Sequence, residues 1–355
     1  MKTAEFDYEL PPELIAQKPV EPRDTSRLLV VDRREETILH RRFYDLPEFL
    51  RPGDLLVHNQ TRVIRARLFA RKPTGGRVEI LLLRQIDSET WEALVGGKRV
   101  RPGLTLTLLN GPDGAPTSAK AEIVERGERA MRLLSFDRPV LPLAEEIGVT
   151  PLPPYIHETL NDEQRYQTVY ARKPGSAAAP TAGLHFTPEL LYELREMGVR
   201  SEFVTLHIGL DTFQPVRDAQ IEAHHMHTEH CSLRPHVATR VNQTKLEGHR
   251  VVAVGTTSVR ALETAALHAV GGDGCAESCP WQTVAAFEGE TDLFIYPGYR
   301  FRVVDALITN FHLPRSTLLM LVAAFAGKEL IDRAYAEAID RQYRFYSFGD
   351  AMLIL

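Results

Sequence analysis

The 355-residue sequence has little cysteine and no long apolar run. Its three cysteines, Cys231, Cys275 and Cys279, are too few for a disulfide framework in a chain of this length. The apolar run at residues 318–326 is far shorter than the roughly 20 residues that cross a bilayer. The first residues carry charges in place of an apolar signal segment. We therefore expect a cytoplasmic protein without disulfide bonds.

The sequence also has no large excess of positive or negative charge. It contains 42 Lys and Arg and 47 Asp and Glu, and the formal net charge is -5. This balance excludes a protein that coats nucleic acid by bulk charge, but it allows a local basic surface. Basic residues do concentrate in one segment, at Arg62, Arg65, Arg67, Arg71, Lys72, Arg77, Lys98, Arg99 and Arg101. Such a cluster is typical both of a solvated face and of a surface that neutralises RNA phosphates.

Hydrophobic residues make up 44% of the chain, which is enough for a core in each of roughly two domains of ordinary size. Short β-rich runs separated by Gly, Pro and Asn turns recur at residues 77–83, 90–95, 104–109, 119–124 and 131–136. No helical pattern lies between them, which favours a small antiparallel barrel.

Helices and strands alternate after this segment. Thr187 and Pro188 form a typical helix start, and the apolar residues 251–254 and 303–309 predict strands that each lead into a helix. We predict an α/β fold in which helices cover a mostly parallel sheet and a small antiparallel β-barrel is inserted. The α/β domain would comprise residues 1–65 and 151–355, and the barrel domain residues 66–150.

Two short motifs are candidates for chemistry. The string Gly255-Thr256-Thr257-Ser258 lies at a strand-to-helix junction, where free N–H groups and hydroxyls bind anions, although the same residues also serve as a simple helix cap. The small residues before Gly183 let the backbone approach a ligand, and His185 beside them titrates near neutral pH. A tight turn with a hydrogen-bonded histidine is the alternative interpretation of the second motif.

The segment from His224 to Cys231 contains imidazole, carboxylate and thiolate groups, which are the usual zinc ligands. Its histidines share a face only if the segment is helical, and the loop with Cys275 and Cys279 provides no matching pair. We therefore predict no bound metal.

Taken together, strings along the whole chain resemble the S-adenosylmethionine:tRNA ribosyltransferase-isomerase family of queuosine biosynthesis. These strings are Asp7-Tyr8-Glu9-Leu10-Pro11, Leu14-Ile15-Ala16-Gln17, Asn59-Gln60-Thr61-Arg62-Val63-Ile64, Ala179-Pro180-Thr181-Ala182-Gly183-Leu184-His185-Phe186, Leu206-His207-Ile208-Gly209-Leu210, His224-His225-Met226-His227-Thr228-Glu229, Val254-Gly255-Thr256-Thr257-Ser258-Val259-Arg260, Leu293-Phe294-Ile295-Tyr296-Pro297-Gly298, Thr309-Asn310-Phe311-His312-Leu313-Pro314 and Tyr343-Arg344-Phe345-Tyr346-Ser347-Phe348-Gly349-Asp350. Gln60, Arg65 and Asp211 depart from the usual pattern.

The resemblance implies an enzyme that transfers and isomerises the ribosyl moiety of S-adenosylmethionine. The acceptor would be 7-aminomethyl-7-deazaguanine (preQ1) at the wobble position of a tRNA anticodon, and the products epoxyqueuosine-tRNA, adenine and methionine. S-adenosylmethionine is then a co-substrate, with no permanently bound cofactor, no membrane and no obligate protein partner expected. The same resemblance implies the α/β fold with an inserted barrel.

The resemblance and the demands of the chemistry together suggest the site residues. Abstraction of a proton next to a sulfonium needs a base whose pKa lies near the working pH. The candidates for this base are His185, His207 and His312. Candidates for binding S-adenosylmethionine are Thr181, Gly183, Gly255, Thr256, Thr257, Ser258, Arg260 and Asn310. Candidates for binding RNA are Arg62, Arg65, Arg67, Lys98, Arg99 and Tyr346. Two other functions stay open, a non-catalytic RNA-binding module and a metal-dependent hydrolase built on residues 224–231.

Overall fold

The computed structural model describes residues 1–158, 160, 162–209, 215–271 and 281–355. Asp211, Cys275 and Cys279 lie outside the described residues. The described strands are β1 (Arg27–Asp32), β2 (Thr37–Arg42), β3 (Leu55–Asn59), β4 (Thr61–Val63), β5 (Arg67–Arg71), β6 (Arg77–Gln85), β7 (Thr90–Val95), β8 (Thr105–Leu109), β9 (Pro116–Arg126), β10 (Met131–Phe136), β11 (Lys173–Ser176), β12 (Arg200–Leu206), β13 (Glu229–Leu233), β14 (Val251–Val254), β15 (Phe287–Thr291), β16 (Ala306–Asn310) and β17 (Ala351–Ile354). The described α-helices are α1 (Val140–Ile147), α2 (Pro188–Glu196), α3 (Pro235–Leu246), α4 (Thr256–Gly271), α5 (Thr317–Ala326) and α6 (Lys328–Asp340).

Nine of the described strands form one sheet in the order β15-β13-β12-β3-β14-β16-β17-β1-β2. The neighbours β12, β3, β14 and β16 run parallel, and antiparallel pairings flank them on both sides. β14 and β16 are buried along their whole length. Strands covered on both faces lose the polar alternation, which is why β14 and the first three residues of β16 are continuously apolar. The predicted α/β fold is confirmed.

Apolar side chains form a layer on each face of this sheet. Helices α3, α4, α5 and α6 pack on one face, and α2 with the 3-10 helices Phe43–Phe49 and Thr181–His185 packs on the other. Successive strand residues alternate between the layers, as Leu28 and Leu29 do. No described helix is both long and apolar enough to cross a membrane.

Helix α2 begins where the sequence predicts. Thr187 Oγ1 accepts a hydrogen bond from the N–H of Leu190 at 3.1 Å, and Pro188 occupies the first helical turn. Gly198 follows the helix with a φ of +86°, a conformation that glycine adopts without steric cost. Residues at the two ends of the helix therefore determine where it begins and where it ends.

Six other described strands form a closed barrel in the order β10-β7-β6-β5-β8-β9. Its interior contains the fully buried Trp91, Ile80 and Leu106. The five predicted runs correspond to β6 through β10, and the inserted antiparallel barrel is confirmed. Strand β5, which closes the barrel, was not predicted from the sequence. It has only five residues and an arginine at each end, so its pattern of apolar and polar residues is too short to indicate a strand. The domain boundaries near residues 66 and 150 stay a prediction.

Candidate functional site

The candidate site lies at the carboxyl ends of the parallel strands. Strands β12, β3, β14 and β16 all end at one edge of the sheet, which is where open α/β sheets bind ligands. The segment before β17 reaches the same edge, because β17 runs antiparallel to β16. A cleft opens there, lined by Tyr155, Ala179, Pro180, Thr181, Ala182, Ile208, Gly255, Thr256, Thr257, Thr309, Asn310, Phe311, His312, Leu313, Leu318, Tyr346 and Ser347.

The first wall of the cleft is the start of α4. Gly255 turns the chain out of β14 with a φ of +88°, and its carbonyl oxygen accepts hydrogen bonds from the N–H groups of Ser258 at 3.1 Å and Val259 at 3.2 Å. The hydroxyl of Ser258 donates back to Val254 at 2.8 Å, so Ser258 serves the helix itself. Thr256 and Thr257 face the cleft at the positive end of the helix dipole, which suits an anionic group.

A single amide side chain ties this wall to two strands. Asn59 Oδ1 accepts from the N–H groups of Thr61 and Leu206, both at 3.2 Å. Its Nδ2 donates to the carbonyl of Leu206 at 2.9 Å and to Thr257 Oγ1 at 3.3 Å. The end of β3, the end of β12 and the first turn of α4 are therefore bonded through one buried residue.

The second wall contains Asn310 and the buried His185. Asn310 Nδ2 donates to His185 Nε2 at 3.2 Å and to the carbonyl of Tyr346 at 3.1 Å. His185 Nε2 is thus an acceptor, so its Nδ1–H donates to Ser26 Oγ at 2.7 Å. The ring also stacks on Phe43. Burial lowers the pKa of His185 to about 3, so the imidazole is neutral at physiological pH.

His312 is the candidate base that lines the cleft itself. Its Nε2 lies 2.7 Å from Thr309 Oγ1, and its backbone N–H donates to the hydroxyl of Tyr335 at 2.9 Å. Burial lowers the pKa of His312 to about 3. When Thr309 donates to the carbonyl of Asn310 at 3.3 Å, His312 Nε2 is the donor to the hydroxyl and the Nδ1 lone pair is available to accept a proton.

Aromatic residues form the third wall. The rings of Tyr155 and Tyr346 lie 4.8 Å apart between centroids, and Tyr155 shares a 2.7 Å hydrogen bond with Ser347. Tyr346 has a φ of +71°, which a bulky side chain adopts only when surrounding contacts hold it there. Its carbonyl is held by Asn310. One residue of the cleft lining therefore has a strained backbone conformation.

The structure brings together most of the predicted ligand-binding residues. Predicted residues that line the cleft are Thr181, Gly255, Thr256, Thr257, Asn310, His312 and Tyr346. Predicted residues outside the lining are Gly183, His185, His207, Ser258, Arg260, Arg62, Arg65, Arg67, Lys98 and Arg99. Sequence reasoning missed Tyr155, Ile208, Phe311 and Ser347, although the last three stand within the strings already singled out for their resemblance to a family. Tyr155 had no such signal, because it follows the proline-rich segment after the barrel.

Arg260 lies in α4 one turn past the cleft and is engaged elsewhere. Its guanidinium forms a buried ion pair with Glu229 and donates to the carbonyls of Leu293 at 3.0 Å and Thr291 at 3.4 Å. Glu229 also accepts from the N–H of Gly209 at 3.0 Å. Arg260 therefore fastens α4 to β13 and β15, and it would have to leave these partners to bind a substrate carboxylate.

The basic residues predicted to contact RNA differ in their surroundings. Arg65 pairs with Glu163 at 3.0 Å and Arg67 with Glu79 at 3.4 Å, so their charges are partly neutralised. Lys98 and Arg99 are exposed in a barrel loop, and Arg62 is half-buried in β4. In the segment that suggested zinc, His224 lies 3.1 Å from Asp218. Among the described residues, no three or more His, Cys, Asp or Glu side chains are grouped to hold a metal ion.

Comparison with known proteins finds similarity along the whole chain. The family model described as "Queuosine biosynthesis protein" matches residues 3–354. The S-adenosylmethionine:tRNA ribosyltransferase-isomerase of Thermus thermophilus is 57% identical over 353 residues, covering 99% of this chain and 98% of that protein. The protein of the same name from Symbiobacterium thermophilum is 54% identical over 361 residues, covering 100% of both chains. The crystal structure of S-adenosylmethionine tRNA ribosyltransferase from Thermotoga maritima has a TM-score of 0.55 and 43% identity, covering 99% of this chain and 100% of that one.

The bonding of Asn59 generates a stability prediction. Asn59→Ala leaves the buried N–H groups of Thr61 and Leu206 without their acceptor, and each such group costs about 1–3 kcal/mol. We expect the free energy of unfolding in urea to fall by about 2–4 kcal/mol. Asn110→Ala, at an exposed turn of the barrel, is the matched control and should change little. Equal unfolding midpoints for the two variants would contradict the bonding role of Asn59.

Proposed function

The chain belongs to the S-adenosylmethionine:tRNA ribosyltransferase-isomerase family of queuosine biosynthesis, and from this premise we propose its substrates and the roles of its residues. The enzyme transfers and isomerises the ribosyl moiety of S-adenosylmethionine onto the aminomethyl group of 7-aminomethyl-7-deazaguanine at the tRNA wobble position. Epoxyqueuosine-tRNA, adenine and methionine are the products. The observation that carries the proposal is the cleft, whose lining combines the start of a helix, a neutral imidazole and aromatic rings. The whole chain around it matches the family.

The charge pattern of the cleft supports a sulfonium co-substrate. No Lys or Arg is found among the described residues that line it, so a positively charged sulfur meets no fixed like charge there. The carboxylate of the methionine part binds at Thr256 and Thr257, because these residues line the cleft at the start of a helix, where free backbone N–H groups and the helix dipole favour an anion. Asn310 Oδ1 is buried and has no hydrogen-bond partner within the described chain. It accepts from an amino group of the bound S-adenosylmethionine.

The histidines take different roles in this proposal. Of the three candidate histidines only His312 lines the cleft, and it is unprotonated, so we assign to it the proton from the carbon next to the sulfonium, although its lowered pKa makes it a weaker base than an exposed histidine. Both ring nitrogens of His185 are already engaged, with Ser26 and Asn310. His185 is therefore a positioning residue that holds the Asn310 amide toward the cleft. His207 lies outside the cleft lining.

The RNA reaches the cleft from the side of Tyr346. A wobble base that is splayed from the anticodon stacks on an aromatic ring and is read at its edge, as single-stranded RNA recognition usually requires. Tyr346 supplies that ring, while Arg62, Lys98 and Arg99 contact phosphates. Arg65 and Arg67 contribute less, because Glu163 and Glu79 already balance them. The reaction takes place in the cytoplasm and uses no bound metal.

The decisive experiment measures adenine release from S-adenosylmethionine by liquid chromatography in the presence of a chelator. Release is expected with tRNA bearing 7-aminomethyl-7-deazaguanine and absent with the same tRNA bearing guanine. Activity that requires added metal would favour a hydrolase instead. Folded protein that binds the modified tRNA yet releases no adenine would leave only an RNA-binding module.

Thr256→Val tests the carboxylate site, because it removes the hydroxyl and keeps the shape of the side chain. We expect the Kd for S-adenosylmethionine, measured by calorimetry, to rise about three- to tenfold, in line with about 1 kcal/mol for one hydrogen bond. Thr239→Val, at an exposed position of α3, should leave this Kd unchanged. If both variants bind S-adenosylmethionine like the wild type, the carboxylate does not lie at α4.

The lowered pKa of His312 predicts an unusual pH profile. A base must be unprotonated, and burial holds the pKa of His312 at about 3, well below the ordinary value of about 6.5. We expect kcat/KM for S-adenosylmethionine to show no imidazole limb between about pH 8 and about pH 5. His312→Gln should lower kcat by about 10²–10⁴ while the protein stays folded. A wild-type acid limb near the ordinary histidine pKa would assign the base to another residue.

A further inference from the structure

Three basic side chains lie together beside the cleft, and we call them the basic cluster: Lys173 of β11, His207 after β12 and His230 of β13. The imidazole centroids of His207 and His230 are 5.7 Å apart, and the N–H of His207 donates to the carbonyl of His230 at 3.0 Å. Lys173 is exposed. Burial lowers the pKa of His207 to about 4, and the positive charges of His230 and Lys173 act in the same direction.

The basic cluster borders the cleft on the side of Ile208. His207 directly precedes Ile208, which lines the cleft. The N–H of Ile208 is bonded to the hydroxyl of Ser176, the last residue of β11, at 2.9 Å. β11 in turn leads into the cleft wall at Ala179. A ligand that fills the cleft and continues past Ile208 therefore meets the basic cluster next.

The basic cluster lies on the face of the sheet opposite α4. In β13 the buried residues Glu229 and Cys231 alternate with the half-buried His230, and alternate residues of a strand point to opposite faces. The carboxylate of Glu229 pairs with Arg260 of α4, on the far side. It therefore does not share a face with the two imidazoles.

The acidic neighbour on the same face is paired with a basic residue of the barrel. Glu290 of β15 stands directly opposite His230 in the antiparallel pairing, and directly opposed residues share a face. Its carboxylate pairs at 2.6 Å with Arg84 of barrel strand β6, which also pairs with Glu92 at 2.8 Å. The barrel thus supplies a cation to the carboxylate opposite His230, and Arg84 shares its single charge between Glu290 and Glu92.

Both imidazoles are prepared to donate hydrogen bonds. The Nδ1 atoms of His207 and His230 are buried without a hydrogen-bond partner among the described residues. Buried N–H groups without an acceptor are rarer in proteins than buried acceptors without a donor, so we place the ring N–H of His207 and of His230 on Nε2. Each ring then offers one N–H beside the ammonium of Lys173. Such a set of donors binds an anion.

Gly175 maintains the spacing of these groups. A Cβ atom at this position would lie 3.0 Å from Cε1 of His207, and the φ of +130° is one that other residues rarely adopt. Strand β11 can therefore lie against the imidazole of His207 only because residue 175 is glycine. This close approach sets β11, the strand that carries Lys173, against the ring.

Building on the proposed function, we propose that Lys173, His207 and His230 bind one phosphodiester of the tRNA substrate, adjacent to the nucleotide whose base enters the cleft. Phosphate contacts fix the register of an RNA on a protein without reading its sequence. A phosphate held beside Ile208 sets the distance at which the next base turns into the cleft. His207 is then an RNA-positioning residue, and the base of the reaction lies elsewhere.

The test measures binding of a fluorescent anticodon stem-loop carrying 7-aminomethyl-7-deazaguanine by anisotropy at several salt concentrations. Lys173→Gln, His207→Asn and His230→Asn should each weaken binding about tenfold, the loss of one hydrogen bond to a charged group. Lys173→Gln should also reduce the salt slope by about one. The Kd for S-adenosylmethionine should not change in any of them. Lys328→Gln, in α6 on the opposite face, removes the same charge as a control and should bind RNA normally.

A second pair of variants leaves the basic cluster intact. Arg84→Gln releases the carboxylate of Glu290 beside His230, so RNA binding should weaken although Arg84 does not touch the phosphate. The double variant Arg84→Gln with Glu290→Gln removes that carboxylate and should restore the wild-type Kd. Weakening without restoration would mean that Arg84 itself contacts RNA, which would overturn the role given to Glu290 and the basic cluster.

Other outcomes also decide the question. Wild-type RNA affinity in His207→Asn with a loss of turnover at saturating RNA would return His207 to the list of bases and overturn the proposal. Binding of Zn²⁺ to the wild type that is lost in His207→Asn and His230→Asn would make the pair a metal site instead. If the histidine variants unfold, Lys173→Gln and the Arg84 pair decide. Failure of the proposed function is a separate result, because it appears as absent adenine release in the wild type.

Discussion

The cleft depends on how the backbone ends at one edge of the sheet. Four parallel strands stop there, and the polar backbone groups beyond their last hydrogen bonds need partners away from water. Asn59, at the end of the central strand β3, bonds to Thr61, to both backbone groups of Leu206 and to Thr257. One amide thereby aligns two strand ends with the start of α4, which forms the first wall of the cleft.

The buried histidines follow from the same geometry. Loops that leave a covered sheet edge are themselves covered, so His185 and His312 lose water and stay neutral. Hydrogen bonds to Ser26, Asn310 and Thr309 replace that water. A neutral lining suits a substrate that brings its own positive charge, and the helix start beside it suits the negative charge at the other end of S-adenosylmethionine.

The inserted barrel acts on this edge through charge. Arg84 of β6 reaches Glu290 of the outermost strand β15, and Glu290 stands opposite His230 in the ladder. From the barrel, Glu290 of β15 is thus followed by His230 of β13, His207 after β12 and Lys173 of β11. In the proposed function, this arrangement would let the barrel influence RNA binding through Arg84, even where its own loops make no contact with the RNA.

The sequence by itself determined the family, the α/β class, the barrel runs and the local helix starts. Those features rest on periodicity and on neighbours in the chain, such as Thr187 and Leu190 in the cap of α2. It also indicated most of the residues at the α4 start and after β16. Tertiary structure alone decided that Arg260 forms an ion pair with Glu229 and that both ring nitrogens of His185 form hydrogen bonds. It also decided that His207 lies beside His230, outside the cleft lining. Partners far apart in the chain set hydrogen bonding, burial and charge balance, and spacing within one segment carries no information about them.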